Sequence, residues 1–195
     1  MSDCTGKITA DIDVDCDNLP VAGIEIDVVL INIDDIKRDT TTVNATNRTV
    51  LDNLDLKTGK TGYKFTGVKQ SNGKSYELVK KDNMPDKWKH LFSGVIFAPS
   101  ADNKLQLANL ALGNKYVVVV EQKWKGVDNA DAFEVLGFYS GLELLSAKNS
   151  SKENDNTISF ELGSADGFEE PIMPMALLDT SYTATKTAFT NKFAA

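Results

Sequence analysis

Four aspartates occupy alternate positions near the start of the chain, in the stretch ITADIDVDCDN at positions 8–18. Closely spaced carboxylates can bind calcium, and an EF-hand loop needs Gly at its sixth position and Glu at its twelfth. Counting from Asp11 puts Cys16 and Ala22 at those positions, and counting from Asp13 also fails. In an extended strand, alternate side chains stand roughly 6.5–7 Å apart, too far to chelate one small ion unaided. We therefore expect no metal site here.

The other interpretation of this stretch is a strand with one carboxylate face. A period of two is typical of a strand that is buried on one side. This interpretation turns Ile12, Val14 and Cys16 toward a core and leaves the acidic side chains in solvent. The acidic face consists of Asp11, Asp13, Asp15 and Asp17.

Catalytic residues are scarce in this sequence. His90 is the only histidine, and its place between lysines and an apolar run predicts an ordinary surface or edge position. Cys16 alternates with apolar residues and is expected to be a small core residue. The adjacent carboxylates Glu169 and Glu170 precede a proline, which is typical of a solvated loop. No nucleophile elbow, phosphate-binding loop or dinucleotide fingerprint occurs. We expect neither an enzyme nor a bound cofactor.

The elements that would position these residues are mostly strands. Residues 24–33 are rich in β-branched side chains, and YVVVVEQKW at 116–124 gives the strongest strand signal. The turn SNGK predicts a hairpin between YKFTGVKQ and SYELVKK. Residues 157–164 are predicted to pair with the strand before them. GFEEPIMPMALL contains two prolines, so we do not expect a central strand there.

One helix is predicted, over 103–112. Its leucines and alanines give a mainly apolar face that would lie on a sheet. Ser100 or Asp102 can cap the start, and Gly113 stands where a C-terminal glycine belongs. The fold predicted from these patterns is mainly β, with one short α-helix between two strands.

The chain is expected to form a single domain over 1–195. It would begin with the acidic strand, carry a polar insertion loop at about 34–48 and end in an arm at about 177–195. The threonine-rich arm alternates weakly and is predicted to be an edge strand or a swinging arm. We expect its removal to leave a folded domain that assembles less well.

Charge is distributed unevenly and limits the possible partners. The net charge is -7, and residues 1–39 carry ten acidic against three basic side chains, so the rest of the chain is neutral. Tight binding to nucleic-acid phosphates needs clustered Lys and Arg and is not expected. The start of the sequence lacks a basic, apolar secretory signal, and no apolar run is long enough to cross a bilayer. We expect a protein made in the cytoplasm that does not associate with membranes.

The order of elements over 89–162 resembles the core of tail-tube proteins of tailed bacteriophages and their related ring and neck proteins. The likeness extends to virion proteins of crAss-like phages of gut Bacteroidetes. An apolar strand leads to a short helix, a strong strand, a polar turn, a bent strand pair and a last strand. The segments that carry this resemblance are, in order, HLFSGVIFAP, NKLQLANLALG, KYVVVVEQKWKG, VDNADA, AFEVLGFYSGLELLSA and NTISFELGS. The polar insertion and the proline-containing C-terminal segment are additions to a minimal tube fold and favour a ring, neck or adaptor variant.

The resemblance implies a fold that is a β-sandwich or small barrel with one short flanking α-helix. It also implies copies joined edge to edge in a ring around a DNA channel. Its partners would be itself and the adjacent tail, neck or portal proteins, with DNA passing through without specific binding. The protein would then be located in the virion tail or neck after assembly in the bacterial host cytoplasm. The four alternating aspartates are expected to face the channel, because an acidic wall does not attract phosphates. We expect the subunit interfaces to include Trp88, Trp124, Phe189 and Phe193.

A second interpretation remains open from the residues alone. Trp88 and Trp124 lie on predicted strands, where aromatic side chains can line a carbohydrate-binding face. The alternative function is therefore a β-rich binding module that recognises a glycan or a host-surface ligand.

Overall fold

The apolar runs of the sequence build ten strands and two α-helices within residues 7–8, 10–153 and 155–195, which the computed structural model describes. The prediction of a mainly β sandwich is confirmed, and the described strands do not close into a barrel. The strands are β1 (Ile24–Asn32), β2 (Val50–Leu51), β3 (Tyr63–Thr66), β4 (Gly73–Val79), β5 (Lys87–Ile96), β6 (Tyr116–Gln122), β7 (Phe133–Leu136), β8 (Glu143–Asn149), β9 (Ile158–Gly163) and β10 (Met175–Leu177). The helices are α1 (Ala101–Leu110) and α2 (Tyr182–Thr190).

Two sheets pack face to face. The first has six strands in the order β2-β10-β7-β6-β1-β3, and the second has four in the order β4-β5-β9-β8. All pairings are antiparallel except that of β10 with β2. Short β10 follows Pro174 directly and pairs on both sides, so the expectation of no central strand there is wrong. Proline stands just before the strand and removes no ladder hydrogen bond.

Strand β6 is buried on both faces, which explains its uninterrupted run of valines. Val118 and Val120 face the second sheet, while Val117 and Val119 face a separate apolar cluster on the other side. The first sheet is therefore the middle layer of three. The predicted pairing of 157–164 with the preceding strand is confirmed as β8 with β9.

The predicted hairpin at SNGK is absent from the structure. Strand β3 pairs with β1 in the first sheet, and β4 pairs with β5 in the second. Phe65 of β3 packs edge-on against Phe160 of β9 with ring centroids 5.1 Å apart, in the core between the sheets. The turn therefore carries the chain from one sheet to the other, and half-buried Phe65 packs between them.

Helix α2 and the loops before β3 cover the face of the first sheet that is turned away from the second sheet. Ser181 caps α2 by accepting a hydrogen bond from the Ala184 backbone N–H at 3.2 Å. Phe189 and Phe193 enter the apolar cluster on this side, together with Ile36 from the predicted insertion loop. The predicted swinging arm is thus wrong, because this segment contains a helix that completes the core.

Helix α1 confirms the predicted helix with a start two residues earlier. Ser100 accepts a hydrogen bond from the Asn103 backbone N–H at 3.2 Å, as a capping residue does. Only Leu107 and Leu110 pack against the core between the sheets. The helix braces one end of the sandwich and leaves most of its apolar side chains in solvent.

Candidate functional site

His90 lies in the interior of the sandwich and not at the surface, so its predicted position is wrong. Only 2% of the residue is exposed. The Gly137 backbone N–H donates to Nδ1 at 3.1 Å, and Nε2 lies 3.0 Å from the Ile172 carbonyl oxygen. This pattern fixes a neutral ring that donates through Nε2. Burial, with the nearby charge of Lys74, lowers the pKa of His90 to about 4.

The neutral state of His90 predicts a pH-dependent stability. The folded pKa lies below the unfolded value of 6.5, so the unfolded chain binds a proton first as pH falls toward about 4. We expect the free energy of unfolding to fall by about 2 kcal/mol between pH 7 and pH 5 through this group. Urea unfolding of the wild type and of His90→Gln at both pH values measures it.

The difference between the two proteins isolates the histidine. Glu170 has a raised pKa, which gives the opposite slope, and it is present in both. His90→Gln should lose about 2 kcal/mol less stability than the wild type between pH 7 and pH 5, because the carboxylates with shifted pKa values are present in both proteins. Equal losses in the two proteins would contradict the neutral buried ring.

Glu170 is a buried carboxylate whose two oxygens both accept hydrogen bonds from the backbone. One oxygen accepts from the Ser140 backbone N–H at 2.7 Å and from the Gly141 N–H at 3.2 Å, and the other accepts from the Tyr139 N–H at 2.9 Å. Burial raises its pKa, while these donors and the charge of Arg38 oppose that shift. The carboxylate fixes the corner that carries the chain from β7 to β8.

Glu169 is also buried and points to the other side of the backbone. It forms an ion pair with Lys81 at 2.7 Å, and this hydrogen bond lowers its pKa to about 2. The backbone of Glu170 forms a reciprocal bridge with Trp88, with both hydrogen bonds at 2.8 Å. The predicted solvated loop is therefore a buried strap that ties β5 to the corner after β7.

A third buried carboxylate connects β6 to α2. Glu121 forms ion pairs with Lys125 and Lys186 and accepts from the Tyr182 hydroxyl at 2.9 Å. Burial raises its pKa, but the hydrogen bonds from these three partners outweigh burial and leave the pKa below its ordinary value. Each of the buried carboxylates and His90 is thus occupied by structural contacts.

The acidic segment does not form the predicted strand. Residues 10–23 contain no strand, and the side chains expected in the core are exposed, with Ile12 at 90% and Val14 at 80%. Period-two alternation needs a neighbouring strand to bury its apolar face, and no described strand of the chain lies beside it. All four aspartates are exposed, as expected for a solvated acidic face.

The segment is attached to the sandwich at its C-terminal end. The Trp124 indole N–H donates to the Asn18 carbonyl at 3.1 Å, and the Lys123 backbone N–H donates to the Gly23 carbonyl at 3.1 Å. Trp124 is half-buried by this contact. Trp124 therefore anchors the acidic segment to the sandwich. Its predicted contact with another subunit stays a prediction.

The four aromatic residues predicted for subunit contacts divide into two pairs. Phe189 and Phe193 are buried within the chain, with Phe189 packed 5.2 Å from the Phe133 ring. Their burial within the chain does not fit the predicted contact with another subunit. Trp88 remains half-buried on β5, with its ring 5.8 Å from that of exposed Tyr76.

Three strands end the described sheets with an unpaired edge. They are β3 in the first sheet and β4 and β8 in the second, whereas the outer side of β2 is bridged by Val43. Unpaired N–H and C=O groups along such edges can pair with another chain. Sequence analysis could not locate these edges, because the order of strands in a sheet depends on contacts distant in the chain.

Comparison of the chain with protein-family models, with curated proteins and with solved structures gave no match. Within the described part of the chain, no group of three or more His, Cys, Asp or Glu side chains could hold a metal ion. None of the described helices has the length and apolar character needed to span a membrane. The open sheet edges and the exposed acidic segment form the candidate functional site.

Proposed function

We propose that the chain is a structural virion subunit that assembles with copies of itself into a ring in the tail or head–tail neck of a tailed bacteriophage. The observation that carries this proposal is the open-edged sandwich, with β3, β4 and β8 unpaired on their outer sides. A ring of identical subunits closes such edges without leaving a free end. The resemblance of residues 89–162 to tail-tube and ring proteins points in the same direction.

The state of the polar residues supports a structural role. A catalytic acid or base must reach a substrate, but His90, Glu121 and Glu170 are each at most 2% exposed and bonded to backbone or to neighbouring side chains. The surface of the described residues includes open strand edges, exposed apolar side chains and the acidic segment. These are features suited to assembly.

The charge distribution supports a channel for DNA. The whole net charge of -7 lies in residues 1–39, and Asp11, Asp13, Asp15 and Asp17 are exposed. A wall that carries such a segment repels phosphates, so DNA can move past it without being held. Neighbouring tail, neck or portal rings would be the other partners, and assembly would take place in the host cytoplasm.

Antibodies raised against the full chain test the location. Gold-labelled antibody is expected to bind purified phage particles at one level of the tail or neck, and disrupted particles should yield the chain in a multimeric complex. Absence of the chain from the particles would contradict the proposal.

A binding module for glycans is the second candidate, and a particular surface favours it. Tyr76 is exposed beside Trp88, and a groove of about 490 Å³ lined by Glu77 and Lys89 adjoins this aromatic pair. Aromatic faces next to polar groups suit sugar rings. Glycan-array binding that Trp88→Ala abolishes, with an unchanged thermal unfolding temperature, would favour this function over the ring.

A further inference from the structure

We propose that the side chains of Lys74 on β4 and Glu134 on β7 become joined by an amide bond, which links the two sheets covalently. The inference goes beyond the proposed ring, because this bond lies inside one subunit. Three features of the ion pair carry it: its place between the sheets, its lack of further hydrogen-bond partners, and a burial that favours the uncharged amine.

The two side chains meet in the space between the sheets. Lys74 lies opposite Phe92 in the pairing of β4 with β5. Glu134 lies opposite Val120 in the pairing of β7 with β6. Phe92 and Val120 are fully buried in the apolar cluster between the sheets, and directly opposite residues share a face. Lys74 and Glu134 therefore point inward from different sheets and form an ion pair, with side chains 17% and 15% exposed.

The ion pair lacks the additional partners of the other buried carboxylates. Within the described residues, Lys74 Nζ donates to Glu134 alone, and the Glu134 carboxylate accepts from no second donor. Glu121, in contrast, accepts from two lysines and a tyrosine, and Glu170 accepts from three backbone N–H groups. A buried ion pair offsets its desolvation only when further hydrogen bonds satisfy the remaining donors and acceptors. The charged forms of Lys74 and Glu134 are therefore weakly supported.

Burial also favours the uncharged amine. It lowers the pKa of Lys74 to about 8, because the ammonium group loses hydration between the sheets. Transfer of one proton from Lys74 to Glu134 turns the ion pair into a neutral amine and a neutral carboxylic acid. This transfer removes both charges from the interior, where an incompletely bonded charge is costly. The neutral amine and the neutral acid are the two forms that can condense.

The condensation needs no other reactant. The lone pair of Lys74 Nζ attacks Cδ of the Glu134 carboxyl group, the new C–N bond forms, and the C–O bond to the hydroxyl group breaks. The hydroxyl group leaves as water with a proton from the nitrogen, so the products are an amide and one water molecule. Contact between the two groups in a fixed geometry replaces the collision of separate reactants. The partial exposure of the pair gives the water a route to solvent.

Two other buried lysine–glutamate contacts do not meet these conditions. Glu169 is bonded to Lys81 at 2.7 Å, and its pKa of about 2 keeps it ionised. The three partners of Glu121 likewise hold its pKa below the ordinary value. A carboxylate anion is not attacked by an amine, so neither contact is expected to react.

The amide ties an outermost strand of the second sheet to the first sheet. Strand β4 has β5 on one side and no described strand on the other. The bond closes residues 74–134 into a loop in the unfolded chain, which stabilises the folded state. It also removes the charge of Lys74 near His90, whose ring stays neutral because burial is the main cause of its lowered pKa.

The mass of the denatured full chain tests the inference. The wild type is expected to be lighter than the mass calculated from its sequence by one water molecule. Trypsin does not cleave after an acylated lysine, so residues 70–80 should stay joined to residues 126–148 in one branched peptide. Lys74→Arg removes the nucleophilic amine, Glu134→Ala removes the acyl group, and each should restore the full mass and unbranched peptides. Lys81→Arg is the matched control and should keep the mass loss and the branched peptide.

Each outcome decides the inference. A mass loss with the branched peptide in the wild type and in Lys81→Arg, but not in Lys74→Arg or Glu134→Ala, supports it. Full mass of the wild type with cleavage after Lys74 overturns it, and so does a mass loss without the branched peptide. The wild-type measurement decides even where a variant fails to fold. The proposed ring is tested separately, because its assembly does not involve this bond.

Discussion

Glu170→Ala is expected to lower the free energy of unfolding by about 3–5 kcal/mol, the usual effect of removing one partner from a buried charged contact. The substitution leaves the backbone N–H groups of Tyr139 and Ser140 without their acceptor, and the Gly141 N–H keeps only its bond to the Gly137 carbonyl at 3.0 Å. The charge of Arg38 also loses the nearby carboxylate that favours it. Denaturant unfolding followed by tryptophan fluorescence measures the change.

An exposed carboxylate provides the control for this experiment. Glu153 forms an ion pair with Lys148 at 2.9 Å, and both side chains are more than half exposed. Glu153→Ala is expected to change the stability by less than about 0.5 kcal/mol. Similar values for the two variants would show that Glu170 does not hold the corner after β7.

Truncation after Thr180 is expected to prevent folding, and Phe189→Ala alone to cost about 3–5 kcal/mol. Phe189 is 4% exposed and contacts the rings of Phe133 and Phe193. Removal of the segment also opens one face of the first sheet and strips Glu121 of its partners on α2. Circular dichroism and thermal unfolding of both variants measure the effect.

Phe97→Ala is the matched control for Phe189→Ala, because Phe97 is 47% exposed. It is expected to lower stability much less, since little apolar surface is buried there. A truncated chain that unfolds cooperatively near the wild-type temperature would contradict the role of α2 and would restore the expectation of a dispensable arm.

Elements with a strong local pattern could be predicted from the sequence. The continuous valines of β6 need burial on two faces, and Ser100 with the leucines of α1 gives a helix its start and its apolar positions. The outer helix α2 gives a weak signal in the sequence, because threonines and alanines occupy most of its positions. Tyr182, Thr185 and Phe189 do recur at helical spacing after the capping Ser181.

Predictions that depend on distant contacts failed for a common physical reason. The aspartate segment has the alternation of a strand, but alternation predicts only which face would be buried if a partner strand were present. The polar sequence neighbours of His90 and Glu170 predict a surface position. Their hydrogen-bond partners lie far along the chain, so burial cannot be inferred from the local sequence. The polar sites of this fold therefore could not be located by sequence position.

Native mass spectrometry of the full chain over a range of concentrations tests the central claim, that the subunit completes its sheets with copies of itself in a closed ring. We predict one oligomer of fixed stoichiometry that persists as the concentration rises, because closure leaves no free edge. Monomers at every concentration, or an open-ended series of oligomers, would contradict it.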